Sequence, residues 1–496
     1  MNFLLALLPI AIIVVGMAGF NYPSKVVAPI SWIVALFFGN VVFKTPLMNL
    51  AQTSWNGFLD GVRIVWLIFA AFTLLIVMVD STAMDSIKRG LSKVTRDKRL
   101  MVLFLAIPFG TFLEGAAGAG APAALAAPFL VGLGMNPVIA AAACLIGNSC
   151  PVSWGGAGVT TVVGSGAAGL DFVPVSVMTG KMMSLGYILL PILIIGFVFG
   201  KKAFRGIWKD VLVMGFVMGS INFTMSNVFI PVTELTSLIG GMAGTFVFGA
   251  YLWLRKNASV PQEYAFSSPD NDETLQNPRF SFLRSLLPYF ILSILLVVVR
   301  LSFSLKTLVS FGGGYTVWVG CVVLTSAFLA SILLGYSKFF LASALKAFKR
   351  VIPALISMGL LLAMVNCMKL SGQISTLAVT FATIGSLFYP AVAVLIGQIG
   401  SFVTGTNLGS NLMFNPLHVE AAKNLSINVL PVVAAQNTGG AIGNMICPNN
   451  VVAVCACVAI LGREGEVMRK TLLPSICFLF FFGFLAMVYT YVIFPA

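Results

Sequence analysis

The sequence predicts an all-α, multi-pass membrane protein built from two inverted repeats. Of its 496 residues, 59% are hydrophobic and only 9% are charged, and apolar runs of the roughly 20 residues that cross a bilayer recur along the whole chain. One pattern occurs twice, 290 residues apart: a Gly-rich interruption of an apolar run, with Gly110 matching Gly400, followed by an Asn-Ser or Asn-Thr pair in the next run. Helices broken at matching places in two halves are typical of secondary transporters, which bind substrate near the middle of the membrane.

The composition argues against several other classes of protein. The net charge of +14 comes from Lys and Arg in short loops between apolar runs, as the positive-inside rule expects, so no nucleic-acid partner is predicted. The eight cysteines are scattered without a CxxC pair, which predicts neither disulfides nor a metal site. No Walker loop, haem-attachment motif or pair of histidines on neighbouring helix turns occurs. We therefore expect no enzyme, no ATP-driven pump and no cofactor.

The order of apolar and polar segments divides the chain into four parts. Residues 1–60 are predicted to form N-terminal transmembrane helices, the first retained because it lacks the basic start and cleavage site of a signal peptide. The first repeat is predicted over 61–254 and the second over 283–496. Between them, residues 255–282 form a polar linker rich in Asn, Asp, Ser and Pro, which we expect in the cytoplasm.

The charges of equivalent loops predict that the two repeats are inverted. The loop 81–99 carries six basic residues, whereas its counterpart 371–390 carries no charge. In the loops that follow the Asn-Ser and Asn-Thr pairs, the difference in basic residues is reversed. The loop 166–172 has no basic residue and its counterpart 462–470 has three. Because basic loops stay in the cytoplasm, equivalent loops are expected on opposite sides. About 12 transmembrane spans result.

Two segments are predicted to enter the membrane and turn back. Residues 101–132 hold two apolar arms of about a dozen residues around EGAAGAG, too short for two crossings. This re-entrant hairpin has its predicted tip at 114–120, and a second hairpin, 390–422, has its tip at 404–411. A span broken at an Asn pair is predicted after each one, over 137–165 and over 428–460.

The interruptions are the candidate substrate site. Helix ends inside the membrane expose backbone N–H groups and a positive dipole that suit a carboxylate, and glycines allow close backbone approach. The alternative is that small residues serve only tight helix packing. The candidate substrate-binding residues are Gly115, Gly118, Gly120, Asn148, Ser149, Lys181, Thr404, Thr406, Asn407, Asn411, Gln436, Asn437 and Thr438.

Two further residues are candidates for proton coupling. Glu114 is an acid among apolar and Gly residues, and an intramembrane acid is functional by default, as a proton carrier or cation ligand. The alternative is a protonated Glu bonded to the hairpin backbone. His418, the only histidine, is either a proton relay or a packed, hydrogen-bonded residue. Lys181 would balance the charge of a bound anion.

The same segments resemble the bacterial lactate permease family. The resemblance lies in FLEGAAGAGAP, LVGLGMNP and LIGNSCPVSWGGAG of the first half, and in FVTGTNLGSNLMFNPL and AAQNTGGAIGNMICPNNVVAV of the second. It runs from about residue 60 to the end. It implies proton-coupled import of L-lactate and related 2-hydroxy monocarboxylates, such as glycolate, across a bacterial inner membrane.

The chain departs from the family pattern at two positions that matter for charge. Asn407 stands where the family often has Asp, and Asn444 stands where it has Lys, so an acid and a base are both replaced. These changes leave two alternatives open: sodium coupling, or transport of another small organic anion. A membrane sensor or structural subunit is disfavoured because the longest polar segment is the linker. The oligomeric state is not predicted.

Overall fold

The computed structural model describes residues 2–16, 20, 22, 24–92, 94–118, 121–132, 134–255, 259–266, 279–303, 315–460 and 463–496. Within these residues the chain is helical, and its one β-type pairing is an isolated bridge between Asp97 and Ala265. Seven described helices are long and apolar enough to cross a membrane, or nine if two bent pairs each count as one span. The prediction of an all-helical, multi-pass protein is confirmed. The number of candidate spans among the described residues is smaller than the predicted 12.

The described helices fall into an N-terminal and a C-terminal set on either side of the linker. In the N-terminal half they are Asn2–Val14, Ser24–Val41, Leu47–Asp80, Ala83–Ser92, Lys98–Phe104, Gly110–Ala117, Ala121–Gly132, Pro137–Gly147, Gly155–Ala167, Phe172–Leu193, Trp208–Phe223 and Thr236–Leu254. In the C-terminal half they are Phe282–Ser302, Tyr315–Leu333, Phe340–Leu370, Gln373–Gly385, Tyr389–Thr404, Asn407–Asn424, Val429–Gly443, Pro448–Cys457 and Glu464–Val488. Leu105–Phe109, Ile194–Phe199, Thr224–Val228 and Tyr489–Ile493 are π-helical.

Helix boundaries recur at the offset of 290 residues. Asp80 ends one long helix and Leu370 ends the other, and the next helices begin at Ala83 and Gln373. The caps match as well. The Ser81 hydroxyl donates to the Met78 carbonyl over 3.3 Å, and Ser371 donates to Met368 over the same distance. The sequence repeat therefore corresponds to a repeated local structure.

The two long helices pack directly against each other, and we call them the long-helix pair. A Cβ at Gly61 would overlap the Cα of Gly359, so the backbones touch there. Farther along, Asp80 forms an ion pair with Lys346 at 2.6 Å. From the first contact to the second, the residue number rises on one helix and falls on the other. The two helices therefore run antiparallel. This is the relation that inverted repeats would give these two equivalent elements.

Hairpin 1, residues 98–132, differs from the prediction in its first arm. The Asp97 carboxylate accepts from the Arg99 backbone N–H and caps the helix, which starts before the predicted residue 101. The arm continues through a π-helical segment to Ala117, so it is not about a dozen residues, and Lys98–Ala116 alone is apolar enough for a span. Glu114 consequently lies within helix, and irregular backbone begins at Gly118 with φ of 64°. Gly120 lies outside the described residues.

Hairpin 2, residues 389–424, has bounds close to the predicted ones. Its first arm ends at Thr404, and Gly405 turns the chain with φ of 85°. The Thr406 hydroxyl accepts from the Gly409 N–H and caps the second arm. A cap at this tip satisfies a backbone donor that would otherwise be unpaired inside the membrane.

Broken span 1, residues 137–167, is interrupted twice. Its first helix is capped by Asn148, and the two helices of the span are bent by 57°. A second interruption follows, because Gly156, Ala157 and Gly158 all have positive φ. The Asn-Ser pair predicted only the first of these two breaks.

Broken span 2, residues 429–457, breaks at a different place from the predicted one. The helix Val429–Gly443 runs without interruption through Asn437 and Thr438, and the turn begins at Asn444. The predicted break at the Asn-Thr pair is therefore wrong.

Packing explains where broken span 2 stays helical and where it ends. A Cβ at Gly439 would overlap the Val394 carbonyl, and one at Gly443 would overlap the Gln398 carbonyl. These glycines keep the helix close to hairpin 2, as the alternative of tight packing expects. Pro448 then disfavours helical backbone at the residue before it, and the helix ends upstream.

Candidate functional site

A small cavity lies where both hairpins and both broken spans meet the long-helix pair. Its volume is about 60 Å³, well below the roughly 300–1,000 Å³ of pockets for drug-sized ligands. Glu114 and Gly118 line it from hairpin 1, and Asn444 lines it from broken span 2. The other lining residues are Ile64, Leu67, Ile68, Val152, Gly155, Gly156, Val159, Thr160, Met358, Thr406, Asn407 and Leu408.

Glu114 is the one ionisable side chain among the described residues that line the cavity. It is only 1% exposed, and the Asn148 amide donates a hydrogen bond to its Oε2 over 3.1 Å. Its Oε1 points at Gly155, where a Cβ would overlap it. The structure thus brings two predicted residues together and shows that a glycine makes room for the acid.

The second interruption of broken span 1 is a left-handed turn next to Glu114. Gly156, Ala157 and Gly158 have φ values of 56°, 55° and 79°. For Ala157 this region costs roughly 1–2 kcal/mol relative to the right-handed one. Backbone strain of this kind concentrates at functional sites. The string GGAG in the sequence was the signal for this turn.

A second buried acid, Glu234, lies against the same turn and was not predicted as a site residue. Its side chain is fully buried, and a Cβ at Gly158 would overlap its carbonyl oxygen. Glu114 and Glu234 therefore contact the segment from different elements. An acid between two apolar segments was the available signal for this residue.

Asn437 joins the two halves of the protein through its side chain. Its amide nitrogen donates to the hydroxyls of Thr161, over 2.9 Å, and Thr179, over 3.2 Å. Its amide oxygen accepts from Asn407, over 2.9 Å, and from Asn411, over 2.8 Å. Asn407 also lines the cavity. The structure thus places three predicted residues in one buried network, together with two threonines that were not predicted as site residues.

Gln436 and His418 belong to a neighbouring network that does not line the cavity. The Gln436 amide donates to Ser410 over 2.8 Å, and its oxygen lies 2.9 Å from His418 Nε2. The other ring nitrogen of His418 lies 2.9 Å from the Tyr389 hydroxyl. Both ring nitrogens are satisfied when Nε2–H donates to Gln436 and Tyr389 donates to Nδ1. This arrangement is that of a packed, hydrogen-bonded histidine.

The structure does not bring Lys181 together with the other candidates. Its side chain is half-buried, and its Nζ lies 4.4 Å from the centroid of the Phe494 ring. The hydroxyls of two other candidates bond to their own helices, Ser149 to the Ile146 carbonyl and Thr438 to Ala435. None of these three side chains lines the described cavity.

Three further candidates shape the hairpins. The Thr404 hydroxyl donates to the Gly400 carbonyl over 2.8 Å, whereas Thr406 caps an arm and also lines the cavity. A Cβ at Gly115 would overlap the backbone of Leu238. Gly115 therefore serves tight helix packing, the alternative that the sequence left open.

Several buried oxygen atoms around the site accept no hydrogen bond from a described residue. They include the amide oxygens of Asn148, Asn407 and Asn411 and the hydroxyl of Ser153. Such atoms are suitable acceptors for a substrate hydroxyl, a protonated acid or a cation. The described residues contain no group of three or more His, Cys, Asp or Glu that could hold a metal ion.

A helical multi-pass bundle with a buried cavity between interrupted helices has the architecture of a membrane transporter. Comparison with known proteins supplies the family. The model of the L-lactate permease family matches residues 2–345 and 315–493. The protein belongs to the L-lactate permease family, and the resemblance drawn from its motifs is confirmed.

Individual relatives match over nearly the full chain. Glycolate permease GlcA of Escherichia coli is 27% identical, with 99% of this chain and 96% of the relative covered. An L-lactate permease of Salmonella typhimurium gives the same figures, and that of Bacillus subtilis is 27% identical over 89% of this chain and 88% of its own. The protein is accordingly a multi-pass transporter of the bacterial inner membrane with a small organic anion as substrate, and permeases of this family are not enzymes.

Two solved structures are distantly similar. The YdaH transporter of Alcanivorax borkumensis aligns with a TM-score of 0.47 and 15% identity, covering 88% of this chain and 86% of that one. MtrF of Neisseria gonorrhoeae aligns with a TM-score of 0.48 and 13% identity, covering 90% and 84%.

Proposed function

We propose that the protein imports L-lactate and related small 2-hydroxy monocarboxylates by proton symport, with Glu114 carrying the proton. Family membership and the names of the relatives support the substrate class. The cavity of about 60 Å³ favours a substrate of few atoms. Proton coupling through Glu114 is supported by one observation: Glu114 is the one ionisable side chain among the described residues that line the cavity.

The charge of this cavity links the proton to the substrate. No basic side chain is among its described lining residues, so a bound carboxylate would face Glu114 without a compensating cation. Two unit charges 4 Å apart repel by about 4 kcal/mol at an effective dielectric constant of 20. Protonation of Glu114 removes this repulsion. The anion therefore binds together with a proton, and the pair crosses as a neutral unit.

Amide groups supply the polar contacts of the proposed site. Asn148 does not line the cavity itself, but it donates to one oxygen of Glu114 and so orients this acid. The Asn444 oxygen accepts from Asn450, which leaves the Asn444 amide nitrogen to donate to a carboxylate. Thr160, Thr406 and Asn407 complete the polar lining among the described residues. Uncharged donors can hold the substrate and still release it.

We infer that the repeats are inverted and that hairpins and broken spans move against the long-helix pair. The antiparallel packing of two equivalent helices supports the inversion. Ile64, Leu67 and Met358 of the pair form an apolar wall opposite the polar hairpin tips. Separation of this wall from the tips would open the cavity to one side at a time, as alternating access requires.

The decisive experiment measures flux in liposomes containing the purified protein. We expect radiolabelled L-lactate to accumulate under an inward proton gradient and to be lost on addition of a protonophore. Glu114→Gln should abolish accumulation but retain lactate–lactate exchange, because a permanently neutral residue accepts the anion without carrying a proton. Glu420→Gln is the matched control, since Glu420 is exposed and bonds to Ser375. Unchanged accumulation in Glu114→Gln removes Glu114 from the mechanism.

A sodium-coupled transporter, or one for another small organic anion, is the second candidate. The buried, unpartnered amide oxygens of Asn148, Asn407 and Asn411 favour it, because amide oxygens are hard ligands that bind such cations. Uptake driven by a sodium gradient at equal pH on both sides would support this candidate. A panel of short carboxylates, tested as competitors of lactate uptake, separates the substrate classes.

A further inference from the structure

A basic cavity lies at the start of hairpin 1, on the side that the positive-inside rule assigns to the cytoplasm. Its volume is about 920 Å³, and the described residues that line it include six basic side chains and two carboxylates. We call it the basic basin. Its charged lining residues are Arg96, Asp97, Arg99, Lys201, Lys202, Arg205, Arg255 and Glu263.

Two of the six cations build the wall of the basin. Arg99 is buried, pairs with Asp97 at 2.7 Å, and has its guanidinium 4.0 Å from the centroid of the Tyr264 ring. Arg255 pairs with Asp210. The contact of Arg99 with Tyr264 joins linker residues 259–266 to hairpin 1, and the Arg255–Asp210 pair fixes the start of the linker to the helix Trp208–Phe223.

The other four cations are available to a ligand. Arg96, Lys201, Lys202 and Arg205 are exposed, and none of them forms an ion pair with a residue that the structure describes. Four such charges around one cavity attract an anion of high charge density, such as a phosphate group.

An apolar crevice adjoins the basin through shared chain segments. Its volume is about 300 Å³, and eight aromatic side chains line it. Val94 lines the crevice and the next residue, Thr95, lines the basin; likewise Trp253 lines the crevice and Arg255 the basin. The aromatic residues of the crevice are Phe104, Phe109, Phe112, Phe246, Trp253, Phe282, Tyr289 and Phe290.

Exposed tryptophans place this region at the level of lipid head groups. Trp208 is 55% exposed and Trp253 is 59% exposed, and each stands at the end of a membrane-spanning helix near the basin. Tryptophan is enriched at the membrane–water interface. The basin thus lies at head-group depth, with the crevice toward the hydrocarbon.

We propose that one anionic phospholipid binds here, with its phosphate in the basic basin and an acyl chain in the aromatic crevice. Charge complementarity accounts for the head group, and burial of a hydrocarbon chain accounts for the crevice. A free phosphate would use only the basin. Phe112, in the crevice wall, is two residues from Glu114, so the lipid supports the arm that carries this acid.

The test compares lipids by the thermal stabilisation of delipidated, full-length protein in detergent. We expect palmitoyl-oleoyl phosphatidylglycerol to stabilise the protein by several degrees more than the zwitterionic phosphatidylcholine with the same chains. The triple variant Lys201→Gln, Lys202→Gln and Arg205→Gln should lose that difference. The matched control, Lys338→Gln, Lys349→Gln and Arg350→Gln, removes the same charge from an exposed surface elsewhere and should keep it.

A second variant tests the acyl chain independently. Ala250 lines the crevice, and Ala250→Phe should fill it and reduce the stabilisation by phosphatidylglycerol at least several-fold without altering the basin. Stabilisation by inorganic phosphate equal to that by the lipid overturns the proposal in favour of a free-phosphate site. Equal losses in the triple variant and its control, or no effect of Ala250→Phe, overturn it as well.

Discussion

Asn437 and Thr161 are 276 residues apart in the chain and are joined by a hydrogen bond of 2.9 Å in the core of the protein. The bond links broken span 2 to broken span 1, and Asn407 extends it to the cavity. The Asn437 amide therefore helps to hold the two halves of the site together, beside the buried bond from the Asn415 amide to the Gly164 carbonyl.

Replacement of this amide should weaken the whole core. In Asn437→Ala, the Thr179 hydroxyl and the Asn411 amide lose this partner, whereas Thr161 keeps its bond to the Ser153 carbonyl and Asn407 keeps its bond to the backbone carbonyl of residue 437. Each buried polar group left unpaired costs about 1–3 kcal/mol. We expect a clear fall in the thermal unfolding temperature in detergent, together with loss of lactate uptake. Thr383→Val is the control, because Thr383 is exposed and its hydroxyl donates to the Val379 carbonyl of its own helix. Equal unfolding temperatures for wild type and Asn437→Ala would contradict the linking role.

The two asparagines that depart from the family pattern should control the charge requirement of the cavity. Asn407 and Asn444 both line it. In Asn407→Asp a second carboxylate would face the substrate, and the Asn437 oxygen would lose one of its two donors while Asn411 remains. We expect at least tenfold weaker lactate binding, or about 1.4 kcal/mol.

Asn444→Lys should act in the opposite direction. A cation in the cavity offsets the charge of the anion, so binding should become tighter and depend less on pH between 5 and 8. The double variant should bind with an affinity between those of the single variants. Isothermal titration with lactate at several pH values measures all three. Indistinguishable affinities would show that the substrate binds away from these side chains.

The left-handed turn beside Glu114 should gain stability from glycine. Ala157 has φ of 55°, a conformation that glycine adopts without the steric penalty of a Cβ. Ala157→Gly should stabilise the protein by up to about 1 kcal/mol, and the β-branched Ala157→Val should destabilise it by more than that. Thermal unfolding of both variants measures the difference. A fall in stability for Ala157→Gly would contradict the strain assigned to this residue.

His418 should contribute to folding and not to coupling. It bonds to Tyr389 and Gln436 and does not line the described cavity. His418→Gln should therefore lower the unfolding temperature while the proton-driven accumulation ratio of lactate stays within about twofold of wild type. Tyr389→Phe, which leaves one ring nitrogen unpaired, should lower stability by about 1–3 kcal/mol. Loss of accumulation with intact exchange in His418→Gln would instead identify a proton relay.

The sequence predicted the break in broken span 1 correctly and the break in broken span 2 wrongly. The Asn-Ser pair of broken span 1 marks a real interruption, because Asn148 is the C-cap of a helix there. The Asn-Thr pair of broken span 2 lies inside a helix instead. Gly439 and Gly443 of that helix pack so closely against hairpin 2 that no side chain would fit at either position. A glycine is ambiguous on its own, and its neighbours decide between a break and a contact.

The residue pattern alone was enough to establish a helical, multi-pass transporter of the lactate permease family with repeated halves, because hydropathy, capping residues and family motifs act over stretches of a few to about 20 residues. It could not establish which polar groups meet. The pairing of Glu114 with Asn148, the joining of the halves at Asn437, and the position of Lys181 against Phe494 arise from helices that are distant in the chain. Such contacts depend on how complete helices pack, and no local pattern encodes that arrangement.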